Sequence, residues 1–301
     1  MNYALREVLG DSVDQKGSLV AAEKLRFDFS HKSGIPISDL AKIETISTDY
    51  IRQNLTVYAQ DVPLAIAHEI EGVRAVFGET YPDPVRVVSV GVEVEELLRD
   101  TKNPKWKKVS IEFCGGTHVN KTGDIKDLVI LEESGIAKGI RRIVAVTGND
   151  AHEVQRIAVE FTKRVASLER MAPSVAKDQE VKMIQVDFNN LSISSITKAA
   201  LTERIAKVVK QALDELKLKQ KAENREAVNT ITKFFEENPD KCNLVAKLNI
   251  SANSKAVSDA LNEMKKKTEM KHKNILLLAA DQGEDPKVVV ACLLSDVRSL
   301  S

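Results

Sequence analysis

Cys114 and His118 are the residues of this chain whose types and spacing are best suited to chemistry. They enclose two glycines in the segment Cys114-Gly115-Gly116-Thr117-His118. The glycines let the backbone turn tightly enough for a thiolate and an imidazole to face one metal ion, and they admit a substrate close to the main chain. A catalytic zinc needs about three protein ligands and one open position. The segment therefore predicts half of a zinc site.

The same residues are open to two other interpretations. Cys114 follows the apolar run 109–113, so it can be a buried free thiol at the end of a strand, with His118 on a loop. The two side chains can also form a Cys/His nucleophile pair. Such a pair needs an oxyanion hole and usually a third orienting residue, and nothing nearby in the sequence nominates one.

Composition limits the classes of partner. The 301 residues include 44 basic and 44 acidic side chains, so the formal net charge is zero and no bulk field attracts DNA or an anionic membrane. No apolar stretch reaches membrane-spanning length, and the first residues lack the pattern of a signal peptide. Three widely separated cysteines indicate reduced thiols. We expect a cytoplasmic protein with neither a membrane nor a DNA partner.

Residues 1–148 form the first of three zones along the chain. Short apolar runs separated by glycine-bearing turns predict strands over 85–92, 109–113, 128–133 and 140–147. Ser38 is a candidate N-cap for one helix, and 62–70 suggests another. The zone is predicted to be α+β, with its strands in one mostly antiparallel sheet.

Residues 149–238 form a helical connector. One helix is predicted to end at Pro173, and a later one carries a narrow apolar seam formed by Leu201, Ile205, Val208, Ala212 and Leu216. Two helices packed as a hairpin or short coil within one chain account for this seam. Self-association of two chains through it is the alternative, although two clean heptads are few for an intermolecular coil.

Residues 239–301 predict a small α/β domain. The pattern indicates strands over 244–250, 275–280 and 288–294, a helix over 254–266, and a turn at 282–286. Three strands and one clear helix are few for an independent core. We expect this domain to be truncated.

Basic runs offer local contacts for nucleic acid. Residues 105–108 place Trp106 among three lysines, where it can stack on a base, and Arg141 is followed by Arg142. The lysine triplet 265–267 is better explained as a solvated helix face.

A set of short motifs runs through the first zone in a fixed order. They are residues 15–18 (QKGS), 25–31 (LRFDFSH), 52–55 (RQNL), 77–81 (FGETY), 114–118 (CGGTH), 122–125 (TGDI), 133–136 (ESGI) and 139–143 (GIRRI). In order and spacing they resemble the editing domain of alanyl-tRNA synthetases. The connector and the α/β end are similar to the coiled region and the start of the C-terminal domain of the same enzymes, most like the eukaryotic cytosolic form.

The resemblance implies a specific hydrolysis. Editing domains of this family cleave the ester that links serine or glycine to the 3′ end of the alanine tRNA, which removes what a first site accepts by mistake. In the family, zinc is held by two histidines of an H-x-x-x-H helix together with the counterparts of Cys114 and His118. The ion can polarise the ester carbonyl or activate a bound water, and no catalytic residue is assigned beyond that water. The residues expected to contact substrate are Gln15, Ser18, Asp28, Gly115, Gly116, Thr117 and Arg141.

This sequence departs from the family at the remaining zinc ligands. Residues 2–10 resemble the continuation of the H-x-x-x-H helix, but no histidine precedes His31, so two of the four expected ligands are present. In the family a histidine at the position of His31 is not a ligand, and His68, His152 and His272 fit surface or packing roles.

We therefore expect an internal fragment of an alanyl-tRNA synthetase, with the ATP-dependent ligase site in an N-terminal region outside these residues. A catalytically incomplete tRNA- or protein-binding module is the alternative. A stand-alone editing hydrolase is a third possibility, and the long connector argues against it.

Overall fold

The computed structural model describes residues 1–76, 78–281 and 287–295, and its fold is α+β, as the sequence predicts. The chain divides into two units. The first contains residues 1–171 and 182–206, and the second contains residues 172–181 and the chain from residue 207 onward.

A four-stranded antiparallel sheet organises the first unit, with strand order β1-β2-β7-β6. Its strands are β1 (Gln15–Val20), β2 (Leu25–Ser30), β6 (Leu128–Ala137) and β7 (Ile140–Thr147). Helices α1 (Asn2–Leu9) and α2 (Ile37–Gln53) pack on one face, where Leu5 and Ile43 share a buried cluster with Phe29. Helix α5 (Gly148–Arg170) packs on the other face through a smaller cluster.

A second, three-stranded sheet in this unit has the order β3-β4-β5. It contains β3 (Val57–Val62), β4 (Val85–Val90) and β5 (Ile111–Phe113), and the adjacent helices are α3 (Leu64–Ala67), α4 (Val94–Arg99) and a 3-10 helix (Pro104–Lys108). The prediction of one sheet is therefore wrong. Strand periodicity identifies strands but carries no information on which strands pair across long separations, and here β4 and β5 pair apart from β6 and β7.

Two predicted helix starts also differ. Helix α2 begins at Ile37 after Pro36, so Ser38 lies inside its first turn and does not cap it. Pro36 occupies the N-cap position, and its ring has no hydrogen-bond acceptor, so the helix begins without a side-chain cap. The helix predicted over 62–70 is shorter in the structure, where α3 has four residues. It starts later than predicted because Val62 belongs to β3.

The connector is helical as predicted. After α5 come α6 (Val175–Asn189) and α7 (Ser195–Glu237), and α5 ends before Pro173. Of the seam residues on α7, Leu201, Ile205, Val208 and Ala212 are buried within the chain, whereas Leu216 is 52% exposed. This burial favours packing within one chain over a seam left free for a second copy.

The second unit has a three-stranded sheet with the order β10-β9-β8. Strand β8 (Asn243–Lys247) is parallel to β9 (Asn274–Ala280), and β10 (Val288–Leu293) is antiparallel to β9. Helix α8 (Ser254–Lys266) packs on it together with Ile231 and Phe235 from the end of α7. The core that looked small in the sequence is thus completed by the connector helix. The turn predicted at 282–286 lies outside the described residues.

No helix within the described part of the chain is both long and apolar enough to cross a membrane.

Candidate functional site

Cys114 and His118 line the same cavity, which has a volume of about 300 Å³ and lies in the first unit. Its walls come from α1, α2 and the second sheet, and they are mainly apolar, with Ile46, Val88 and Val90 among them. A volume of this size lies at the lower end of the range for small-molecule sites in proteins. The two residues therefore belong to one concave site.

Cys114 directly follows strand β5, and the strand positions it at this cavity. Phe113, the last residue of the strand, is buried in the core of the second sheet, and the Cys114 N–H donates to the Arg86 carbonyl at 3.2 Å. The loop then curls back, because a Cβ at Gly116 would lie 3.6 Å from the Cys114 Sγ. The backbone bends at Gly116, and convergence of the two side chains on one metal ion stays a prediction.

The imidazole of His118 lies at the exposed rim of the cavity. Partial burial lowers the pKa of His118, the nearby Arg86 guanidinium lowers it further, and the Glu112 carboxylate acts in the opposite direction. A lowered pKa keeps the imidazole neutral at pH 7, the form in which its nitrogen can bind a metal.

Zinc fits this site only in part. A thiol and a neutral imidazole are suitable zinc ligands. However, across residues 1–76, 78–281 and 287–295 no three His, Cys, Asp or Glu side chains are grouped so that they could hold a metal ion. Cys114 and His118 would hold the ion as two of its ligands, and two ligands are too few for a tight tetrahedral site.

Gln15 and Ser18 lie together on edge strand β1, where the Gln15 amide donates to the Ser18 hydroxyl at 3.0 Å. Asp28 lies across from Gly17 on β2, and a Cβ at Gly17 would be 3.6 Å from the Asp28 Oδ2. The three residues are neighbours in the sheet, and none of them lines the cavity that contains Cys114.

The arginines predicted to contact substrate or phosphates are both engaged. Arg141 forms two hydrogen bonds with Glu133, from Nε to Oε1 at 2.5 Å and from NH2 to Oε2 at 2.7 Å. Arg142 forms two with Asp28. Because neighbouring residues of a strand point to opposite faces, Arg141 shares the face covered by α1 and α2, and Arg142 and Asp28 share the other.

The remaining segments are exposed or structural. Gly115, Gly116 and Thr117 are exposed on the loop between the two candidate ligands. Trp106 is only 7% exposed and donates its indole N–H to the Asp100 carbonyl at 2.7 Å. The expectation that Trp106 stacks on a base is therefore wrong, because the ring belongs to the core of the second sheet.

Glu112 and Ser47 are among the polar residues of the cavity that sequence reasoning missed. Glu112 lines it two residues before Cys114, as the alternation of strand β5 could have shown. Ser47 also lines it, and its buried Oγ has no hydrogen-bond partner among the described residues. No motif signalled Ser47, which lies in the middle of an amphipathic helix.

Two family models match the chain. The threonyl and alanyl tRNA synthetase second additional domain matches residues 85–144, which include Cys114 and His118. The alanine–tRNA ligase domain matches residues 151–215, which cover most of the connector.

Known relatives match over nearly the whole chain. An alanine–tRNA ligase of Schizosaccharomyces pombe is 55% identical over 98% of this chain and 30% of its own length. The mitochondrial alanine–tRNA ligase of Saccharomyces cerevisiae is 52% identical over the same shares. The cytoplasmic enzyme of Dictyostelium discoideum is 36% identical over 98% of this chain and 31% of its own length. The chain thus spans about a third of the length of these relatives, and it belongs to the alanyl-tRNA synthetase family.

Proposed function

We propose that this chain is the editing and connector region of an alanine–tRNA ligase, and that its first unit takes part in hydrolysing serine or glycine wrongly esterified to the alanine tRNA. The observation that carries the proposal is that Cys114 and His118 line one cavity. The match of residues 85–144 to a domain of threonyl and alanyl tRNA synthetases supports it. Aminoacylation with ATP is proposed for the whole protein, outside the residues of this chain.

The cavity suits the aminoacylated 3′ end of a tRNA. Apolar walls limit the access of water, so polar contacts inside the cavity are stronger than on an open surface. The Glu112 carboxylate, which lines the cavity, can accept a hydrogen bond from a ribose hydroxyl or from the side chain of an esterified serine. The loop at Gly115 and Gly116 carries no Cβ, so a substrate can approach its backbone closely.

Zinc is proposed as a partner of the same pair. When bound, the ion would supply a Lewis acid for the ester carbonyl. Cys114 and His118 supply two ligands, and the family resemblance assigns the other two to the H-x-x-x-H helix whose continuation α1 resembles. Met1, the residue before α1, lines the same cavity.

Deacylation of serine-charged alanine tRNA tests the hydrolytic proposal. The chain, with added zinc, is expected to release serine, and Cys114→Ala is expected to lose at least tenfold in rate. Cys242→Ala removes an exposed thiol of the second unit and is the matched control. Equal rates for Cys114→Ala and wild type would refute the role of the thiol.

Zinc content gives a readout that does not depend on activity. Elemental analysis of the purified chain is expected to show less than one zinc per molecule, and still less in Cys114→Ala. A full equivalent that resists mild chelation would show that the described residues provide more ligands than we count.

The alternative is a binding module without hydrolytic activity. The small number of ligands in the described residues favours it. Under this alternative the chain binds alanine tRNA, but zinc does not change the rate of serine release.

We also propose a cytoplasmic location, in line with the Dictyostelium relative that is named cytoplasmic. The Saccharomyces relative is named mitochondrial, so a mitochondrial location is the alternative. Cell fractionation of the tagged protein distinguishes the two.

A further inference from the structure

Arg6 and Arg74 converge on one carboxylate. The Arg6 Nε lies 3.7 Å from the Asp11 Oδ1, and the Arg74 NH2 donates to the same oxygen at 3.1 Å. The Arg6 side chain is 8% exposed and that of Arg74 is 25% exposed, whereas Asp11 is 90% exposed. Two largely buried cations thus share one carboxylate that is itself almost fully in solvent.

The hydrogen-bonding capacity of the two guanidinium groups is not used up. The Nε atoms of both Arg6 and Arg74 are buried and have no hydrogen-bond partner among the residues described. A buried donor without a partner costs free energy, and more so when the group is charged. An anion with several acceptor oxygens would remove that cost.

The surrounding charges support this view. Burial lowers the pKa of Arg6, and the like charge of Arg74 lowers it further, while the carboxylates of Asp11, Glu112 and Glu7 act against this. The two arginines therefore repel each other electrostatically. A bound dianion or phosphodiester relieves it more fully than a single exposed carboxylate can.

The position of the pair connects it with the cavity. The Arg74 N–H donates to the Ile111 carbonyl at 3.0 Å, and the Phe113 N–H donates to the Arg74 carbonyl at 2.9 Å. Arg74 is thus held against strand β5, whose next residue is Cys114. The backbone of Arg74 forms a parallel β-bridge with that of Glu112, and Glu112 lines the cavity.

We propose that Arg6 and Arg74 form a phosphate-binding site that holds a phosphodiester near the 3′ end of an RNA substrate, and that Asp11 occupies this site until the phosphate displaces it. The identity of the RNA rests on the proposed function. Planar guanidinium groups are the usual donors to phosphate oxygens in proteins. Displacement of Asp11 is feasible because its exposed carboxylate is solvated once it turns away.

Variants of the two sides of this site are expected to change affinity in opposite directions. The probe is a fluorescein-labelled RNA minihelix with a single-stranded CCA 3′ end, and its affinity for the full chain is measured by fluorescence anisotropy. Arg74→Gln is expected to weaken binding about tenfold and to reduce the slope of log Kd against log salt concentration by about 0.7, the value for one phosphate contact on a single strand. Asp11→Asn is expected to tighten binding by a factor of about three to ten, because it removes the competing carboxylate.

Matched controls separate the site from overall charge. Arg156→Gln and Asp49→Asn make the same charge changes at exposed ion pairs on α5 and α2, and both are expected to change affinity less than twofold. Unchanged affinity in Arg74→Gln would overturn the proposal, as would unchanged or weaker binding in Asp11→Asn. Arg74→Gln and Asp11→Asn change side chains that are 25% and 90% exposed, so both variants are expected to fold.

This test is independent of hydrolysis. A chain that binds the RNA with the expected dependence on Arg74 and Asp11 but releases no serine would refute the proposed function alone. A chain that releases serine without that dependence would refute the phosphate site alone.

Discussion

Asp28 and Arg142 lie directly opposite each other on β2 and β7 and form two parallel hydrogen bonds, from Nε to Oδ1 at 2.7 Å and from NH2 to Oδ2 at 2.8 Å. Asp28 is only 6% exposed. Hydrogen bonding from Arg142 holds the pKa of Asp28 below its usual value, although burial acts in the opposite direction. The pair joins two strands that are more than a hundred residues apart in sequence.

Asp28→Asn is expected to lower the free energy of unfolding of the first unit by about 2 kcal/mol at pH 7, because it leaves a partly buried guanidinium without its charge partner. A carboxyl whose pKa is lower in the folded state stabilises the fold above its unfolded pKa of about 3.9 and loses this contribution as pH falls further. The difference between wild type and variant should therefore shrink below about pH 4.

Urea denaturation followed by tryptophan fluorescence measures this effect, since the single tryptophan, Trp106, is buried in the first unit. Asp49→Asn, at an exposed pair with Arg52, is the control and should change stability by less than about 0.5 kcal/mol. A loss in Asp28→Asn that is the same at pH 3 and pH 7 would contradict the role of the charge.

Glu44 should show the opposite dependence on pH. Burial raises the pKa of Glu44, the hydrogen bond from the Ile130 N–H at 2.6 Å lowers it, and the Asp127 carboxylate raises it again. A carboxyl whose pKa is higher in the folded state favours folding below its unfolded pKa of about 4.3, and this contribution is lost as pH rises through the folded pKa.

Glu44→Gln keeps an acceptor for Ile130 and cannot ionise. The free energy of unfolding of the variant minus that of wild type should therefore be larger at pH 7 than at pH 4, by up to about 1 kcal/mol. The measurement is urea denaturation at both pH values, with Glu203→Gln at an exposed position of α7 as the control. A relative stability that does not change with pH would rule out the buried charge as its cause.

Local patterns in the sequence predicted the elements well and their long-range pairing poorly. The run 140–147 is strand β7 and 254–266 is helix α8, because alternation and helical spacing are properties of neighbouring residues. The separation of β4 and β5 from β6 and β7 into different sheets was not predictable in this way. It depends on which core each apolar face joins, and apolar residues such as Val87 and Ile130 look alike in the sequence although they lie in different clusters.

In the candidate site, too, the features set by neighbouring residues were predictable and those set by tertiary structure were not. Cys114 and His118 lie four residues apart on one loop, so their placement on one cavity follows from their closeness in sequence, and it was predictable. The partners of Asp28 and Arg141, which are Arg142 and Glu133, could not be predicted in this way, because the register of the sheet brings them together. Ser47 and Arg74 reach their positions through tertiary packing alone, and nothing in their own segments distinguishes them from surface residues.

Gly72 is expected to tolerate no side chain. Its φ is +79°, and a Cβ there would lie 2.9 Å from the Lys107 Cα and 3.0 Å from the Trp106 carbonyl oxygen, both backbone atoms. Gly72→Ala should lower the free energy of unfolding by about 3 kcal/mol or more, because it adds a backbone clash to the strain of a positive φ.

Gly139 provides the matched comparison. Its φ is +74°, but a Cβ there meets nothing within 4 Å. Gly139→Ala should therefore cost only the strain of about 1 to 2 kcal/mol. Thermal unfolding followed by the fluorescence of Trp106 measures the stability of both variants. An equal loss of stability in the two would show that the clash with the Lys107 backbone adds nothing to the strain of a positive φ.

Glu223 fixes the loop that leads into α8. It is 8% exposed and accepts hydrogen bonds from the Ser251 N–H at 3.2 Å, the Ser251 hydroxyl at 2.5 Å and the Asn253 amide at 2.7 Å. Asn253 in turn caps α8, since its side-chain oxygen accepts from the Ala256 N–H at 3.1 Å. One carboxylate on α7 thus orients the residue that begins the next helix.

Glu223→Ala should destabilise the second unit by about 2 to 4 kcal/mol, because it leaves buried donors unpaired and loosens the cap of α8. Hydrogen exchange should become faster at the amides of α8, while the urea transition reported by Trp106 in the first unit stays unchanged. Glu226→Ala, at an exposed position on the same helix, is the control. If the α8 amides exchange as slowly in Glu223→Ala as in wild type, the other contacts of the loop hold it in place and Glu223 contributes little to the cap.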